Sequence, residues 1–238
     1  MSQRAVAPSP TEVKPWVKLW RRRWVRELIE LAIITLVLYL AIWSVLQTVR
    51  VEGDSMRPTL QSHDLLLASK LSYHLHDPER GDIVILNPPI PSAVERDFIK
   101  RVIGVPGDEL EIDSTKHPAE LLVKPGGTGG WQRVAEPYLG QPWEQATPCC
   151  DGSGRASGTL SAPTPVKIPK DDFFVLGDNR NFSQDSRIFG FVTKNRILAK
   201  AFFRIWPVGG LGSGPSLVPA MVLVLPGGGL SALLRRRP

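Results

Sequence analysis

The chain has 238 residues, 42% of them hydrophobic, and a formal net charge of +6, which suits one globular domain with a small insertion and falls short of two full domains. That charge sits at the ends: residues 1–30 carry +4 and Arg235–Arg237 carry +3, leaving about −1 on residues 31–234. The body of the chain has no basic surplus with which to grip phosphates, so a nucleic-acid partner is excluded.

Residues 31–46 hold no charged side chain, and extending the run to Leu28 and Val49 gives 22 residues, about the ~20 that cross a hydrocarbon core. Lys18, Arg21, Arg22, Arg23 and Arg26 precede this run, while Arg50 follows it nearly alone. The positive-inside rule then places a cytoplasmic segment at 1–27, a transmembrane anchor at 28–49 and everything later outside the cytoplasm. Trp16, Trp20 and Trp24 recur every fourth residue ahead of the span and suit an interfacial helix. The exit Gln47-Thr48-Val49-Arg50 lacks a small-x-small step, which favours an uncleaved anchor over a removable leader.

Beyond the anchor, short β-type runs alternate with Gly, Pro, Asn and Asp, as in a mainly β domain, here taken as 50–207. The predicted strands are Thr48–Glu52, Leu65–Leu71, Ile83–Leu86, Phe98–Val105, Glu109–Ile112, Phe173–Leu176 and Ile197–Ile205. Residues 113–165, rich in Gly, Pro and Ser, read as an irregular insertion. Within them Cys149 and Cys150, the two cysteines of the chain, exclude a disulfide framework and read as loop thiols in preference to a vicinal disulfide. Residues 208–238 form a Gly- and Pro-rich apolar tail. Its apolar run Leu217–Leu225 is too short to span as a helix, so a flexible tail is expected, with membrane contact as the other reading.

Three blocks carry chemistry. The first, Val51-Glu52-Gly53-Asp54-Ser55-Met56-Arg57-Pro58, sets Ser55 between a Gly-Asp turn and a proline, where the backbone is tightly held. A serine in a turn is ordinary until it has a base. His63, His74, His76 and His117 lie in polar, loop-like surroundings, and His74-Leu75-His76 lacks a third nearby metal ligand. Neither Gly-x-Ser-x-Gly around Ser55 nor Ser-x-x-Lys anywhere is present.

A neutral lysine is the remaining way to activate a serine. In Asp97-Phe98-Ile99-Lys100-Arg101-Val102-Ile103 a strand puts Phe98, Lys100 and Val102 on one face. Burial there disfavours the ammonium form and moves its pKa down from the ordinary ~10.4. A lysine snorkelling from an edge strand is the competing reading for this block alone. The third block runs from the apolar Phe173–Leu176 through Gly177-Asp178-Asn179-Arg180 and Ser183-Gln184-Asp185-Ser186-Arg187 to Gly190. So many hydrogen-bonding groups beside a buried strand point to a rigid polar network.

Together with Arg80-Gly81-Asp82-Ile83-Val84, these blocks resemble, in order, the boxes of type I signal peptidases. The resemblance implies a β-rich catalytic core of antiparallel sheets with an inserted subdomain, an apolar surface resting on the membrane, and no cofactor or metal. It implies Ser55 as nucleophile, Lys100 as general base and Ser183 as the group that orients the lysine. Asp178, Arg101, Asp185 and Arg187 would form a supporting salt-bridge network, and Met56 would pack near the substrate pocket. Some family members carry a serine at the position of Gly53, so the oxyanion here is left to backbone donors, notably the Ser55 N–H.

The implied activity is removal of signal peptides from exported preproteins at a plasma, inner or thylakoid-type membrane. The implied partners are those preproteins, the lipid bilayer and the protein-export machinery. Two other readings share parts of the pattern: a LexA-like self-cleaving Ser–Lys protein, and a catalytically inactive anchored β-domain that binds exported proteins.

Overall fold

Pro15 opens a long helix, a first position where its missing N–H costs nothing. The computed structural model describes residues 15–90, 97–144, 146, 149–156 and 162–219, with the backbone alone for 15–22. Helix α1 spans Pro15–Val45, and its stretch Arg23–Val45 is long and apolar enough to cross a membrane. The side chains of Trp16, Trp20, Lys18, Arg21 and Arg22 lie outside the described set, while Trp24 is exposed on the helix.

The helical stretch stops four residues before the expected limit at Val49. Leu46–Arg50 is strand β1, which pairs antiparallel with β2, Leu65–Ser69, from Leu46 opposite Ser69 to Arg50 opposite Leu65. Tertiary pairing overrides apolar composition at this boundary. Val49 faces Leu66 across the ladder, and such cross-strand neighbours stabilise a strand that no isolated helix end would form.

The other strands are β3 (Ile83–Leu86), β4 (Phe98–Gly104), β5 (Glu109–Asp113), β6 (Glu120–Lys124), β7 (Gln132–Ala135) and β8 (Val166–Lys167). They continue with β9 (Asp172–Leu176), β10 (Val192–Thr193), β11 (Ile197–Trp206) and β12 (Ser216–Pro219), with short helices α2 (Ser72–Leu75) and α3 (Ser186–Phe189) between them. A seven-stranded antiparallel sheet runs β1-β2-β11-β3-β4-β9-β10, and a five-stranded one runs β12-β7-β6-β5-β8.

The two sheets read differently because they are buried differently. In the centre of the first, β3 and β9 are near-continuous apolar runs, as strands covered on both faces must be. Phe173 and Val175 turn to one cluster with Val84, Leu86, Phe98 and Val102. Phe174 and Leu176 turn to the other, with Leu110, Ile112, Leu121, Val123 and Trp143. In the second sheet β5 and β6 bury every other residue, the signature of one covered face.

Three expectations are corrected here. The segment 113–165 is not irregular throughout: Leu121 and Val123 of β6 and Val134 of β7 enter the core. Its glycines mask these strands in composition; Gly126 and Gly127 both have positive φ and sit in the turn after β6. The tail is not wholly flexible, since Ser216–Pro219 pairs with β7, Leu217 opposite Val134; residues 220–238, including Arg235–Arg237, lie outside the described set. Cys149 and Cys150 are not loop thiols but are joined as a disulfide, buried in the same core as Ile112 and Trp143.

Candidate active site

Strand β4 carries Lys100. Lys100 is only 3% exposed, and its Nζ donates to Ser55 Oγ at 2.7 Å and to the Ile99 carbonyl at 3.0 Å. The Phe98 ring, on the same strand face, has its centroid 5.0 Å from that nitrogen. Pairing with β3 on one side and β9 on the other makes β4 an interior strand of the sheet. Lys100 is therefore a core lysine and not the snorkelling edge residue of the competing reading.

Ser55 follows Gly53, whose φ of +87° belongs to the left-handed region that side chains rarely adopt. Nothing lies within 4 Å of a side chain placed there, so backbone conformation and not crowding makes glycine the suitable residue. Behind Ser55, the Asn179 N–H donates to the Ser55 carbonyl at 2.9 Å, and Asn179 Nδ2 donates to the Asp54 carbonyl at 3.1 Å. The turn after β9 thus clamps the segment carrying the serine.

The supporting charges divide into two pairs. Arg101 Nε and Nη2 donate to the two oxygens of Asp178 at 2.9 and 2.7 Å, both side chains being buried, and Thr59 Oγ1 adds a bond of 2.5 Å to the same carboxylate. Arg187 likewise binds Asp185 with two bonds of 2.7 Å. Burial pushes the Asp185 carboxyl up, but the charge and hydrogen bonds of Arg187, the Gly177 N–H and the nearby Ser183 hydroxyl outweigh it and hold the group below its ordinary value. Asp185 also accepts the Arg187 N–H and so caps α3.

Ser183 Oγ is buried, with no hydrogen bond of good geometry among the described residues. It packs against Gly177, where a Cβ would fall 2.1 Å from Ser183 Oγ and 2.5 Å from the Ser55 carbonyl. Met56 is buried beside Leu60 and Leu66 and lines the same cleft as Ser55 and Lys100.

Several structural partners are not apparent in the sequence. Arg180 is buried and forms a two-bonded pair with Glu136, and its Nε donates to the Gly177 carbonyl at 3.1 Å. The Trp143 ring stacks under the guanidinium groups of both Arg180 and Arg187, at 5.2 and 5.1 Å. Arg101 covers the Tyr138 ring at 4.1 Å. Glu136, Tyr138 and Trp143 lie between strands of the second sheet, and nothing local in that Pro- and Gly-rich stretch marks them as partners of residues some forty positions away.

The cleft over Ser55 has a volume of about 1050 Å³ and is walled by Val49, Met56, Ile90 and Ile99 among others. A hydroxyl held against a buried amine at the floor of such a cleft is arranged for proton transfer from serine to lysine, the distance falling within the ~2.6–3.2 Å reach of a general base.

The family described as signal peptidase, peptidase S26, matches residues 21–206. Similar proteins include a probable signal peptidase I-2 of Synechocystis sp., 38% identical over 66% of this chain and 62% of its own length. Signal peptidase I of Bacillus caldolyticus is 40% identical over 66% of this chain and 78% of its own length. A probable signal peptidase I-1 of Synechocystis sp. is 32% identical over 88% of this chain and 95% of its own length. With the family match covering residues 21–206, the chain belongs to the signal peptidase family, peptidase S26, and is a peptidase of the signal peptidase I kind.

Proposed function

We propose that this chain is a membrane-anchored endopeptidase that removes signal peptides from exported preproteins by a Ser55–Lys100 dyad. The observation that carries the reading is the 2.7 Å contact between Ser55 Oγ and Lys100 Nζ on a buried strand. Desolvation disfavours the ammonium, so the working form of the lysine is the free amine. In that form Nζ accepts the Ser55 proton as Oγ attacks the scissile carbonyl, then returns it to the leaving amine. An acyl-enzyme remains on Ser55. The same amine next takes a proton from water as its oxygen attacks the ester, and returns that proton to Ser55 Oγ as the acyl bond breaks, which restores both the hydroxyl and the free amine. The Ser55 N–H is the proposed oxyanion donor, Gly53 having no hydroxyl to offer. Ser183, Asp178, Arg101, Asp185 and Arg187 hold the turn that positions the pair.

The substrate side fits an extended chain lying in the cleft between residues 49–54 and 97–100, adding as a strand with small residues before the cut. The N-terminus is cytoplasmic in this reading and the sheets extracytoplasmic, following the basic residues before α1 ends. Exposed Phe202, Phe203 and Trp206 of β11, with Val208 after it, give the domain an apolar patch suited to a bilayer surface. The protein-export machinery is the supplier of substrate.

The test is cleavage of a preprotein by the purified full chain. Ser55→Ala and Lys100→Ala are each expected to lose about 10⁴-fold or more in kcat/KM, as members of one catalytic unit do. The acid limb of kcat/KM against pH should fall well below the free lysine value of ~10.4. Full activity in either variant, or a limb at the free-lysine value, rejects the dyad.

A further inference from the structure

The cleft holding Ser55 and Lys100 does not end at the nucleophile. A second cavity of about 610 Å³ lies beyond Asp54 and Phe182, the two residues that line both spaces. That volume is within the ~300–1,000 Å³ of ordinary binding pockets. The approach of Pro58 to Gly140 forms part of its wall, so close that a Cβ at position 140 would stand 2.9 Å from the proline ring. Any side chain there would push into the contact.

The first space mixes aliphatic side chains with charged ones such as Arg50, Glu52 and Asp97, and the second presents the amides of Gln61, Gln141, Asn179 and Asn181. Asp54 and Arg57 form a loose ion pair of 3.3 Å at its edge, each side chain more than half exposed. Amides suit the backbone and polar side chains of an extended peptide, and an exposed, weakly paired arginine can exchange its partner for another carboxylate at little cost.

A polypeptide cut at Ser55 leaves the nucleophile in two directions, and the cleft over Ser55 and Lys100 accommodates one of them. We propose that the second cavity binds the segment following the scissile bond, and that Arg57 selects acidic side chains there. This rests on the proteolytic reading above. Asp54, at the junction, faces the α-amine released by cleavage, which is largely protonated at neutral pH (ordinary pKa ~7.7–8.0). Arg57 lies further along and reads the residues after it. The site is thus a specificity determinant for the first few residues of the mature product, separate from the small-residue preference before the cut.

The experiment compares kcat/KM of the purified full chain in detergent on preproteins that differ only at the second to fourth residues after the cut, acidic in one and basic in the other. Translocation plays no part in such an assay. The wild type is expected to favour the acidic substrate about three- to tenfold, the size set by a partly exposed charge pair. Arg57→Glu should invert the ratio and Arg57→Gln should bring it close to one. In both variants the penalty for a bulky residue immediately before the cut should stay at its wild-type value. A wild-type ratio of one, or a ratio that Arg57→Gln leaves unchanged, overturns the proposal while leaving the peptidase reading intact. If the wild type cleaves neither substrate, the peptidase reading itself falls and this inference with it.

Discussion

At the scale of single residues, the site depends on positions that carry no reactive group. Gly177 joins β9 to the turn that grips the nucleophile, and its missing side chain makes room for both Ser183 Oγ and the Ser55 carbonyl. Gly177→Ala would displace that carbonyl and with it the serine. A shift of about 1 Å in a reacting group can cost ~10²-fold, so kcat should fall by roughly that factor with KM little changed. A variant with wild-type kcat would show that the turn adapts without moving Ser55. Gly53 makes the complementary case, for there space is free and the left-handed backbone sets the constraint. Ser55 and Lys100 are each unremarkable as letters in a sequence. They gain meaning from the block that surrounds each of them, and the contact between them crosses 45 positions.

At the scale of elements, the Arg101–Asp178 pair ties the middle of β4 to the turn after β9, and Asp185, paired with Arg187, accepts the Gly177 N–H at the end of β9. The Arg101–Asp178 pair is almost fully enclosed, with side chains 2% and 0% exposed, whereas Lys116 in its pair with Glu120 is 52% exposed. These should not behave alike. Removing one partner of a buried pair strands the other charge away from water, so Asp178→Ala is expected to lower unfolding free energy by about 3–5 kcal/mol. Lys116→Ala should change it by no more than ~0.5 kcal/mol, as surface substitutions do. Urea denaturation of both variants measures the difference, and comparable losses would mean that Asp178 finds a solvated alternative. The sequence marks Arg101, Asp178, Asp185 and Arg187 as a network, but it does not divide them into pairs. Nor does it reveal that Glu136 and Trp143 of the second sheet's connections brace the same turn. Charge partners separated by many residues leave no periodic trace.

At the scale of the whole molecule, the chain divides into a helical unit through Val45 and a compact unit from Leu46 onward. The boundary is sharp because β1 belongs to the sheet. A chain beginning at Leu46 keeps β1 on β2, and its melting temperature should stay within a few degrees of the full chain's in detergent. A chain beginning at Val51 uncovers the β2 edge and loses the packing of Val49 against Ala68, Ile85 and Ala199. Its Tm should drop by roughly 5 °C or more, each kcal/mol in a domain of this size corresponding to ~2–4 °C. Equal melting of the two truncated chains, followed by circular dichroism, would show that β1 adds nothing to the sheet.

What the sequence determined by itself is whatever depends on local periodicity and on motif: the apolar span, the central strands of the first sheet, and the family to which the blocks around Ser55 and Lys100 belong. Strand β3 falls at Ile83–Leu86 as predicted because four apolar residues bounded by turn-formers have one economical solution. Tertiary structure alone decided where the span ends, that the Gly- and Pro-rich stretch contributes strands, and that Ser216–Pro219 closes the second sheet. It also decided that Cys149 and Cys150 are bonded and that Ser183 packs against Gly177. The physical reason is the same in each case. Short strands, buried ion pairs and a hydroxyl's choice of neighbour are settled by partners distant in sequence, and such partners become adjacent only once the sheets have formed.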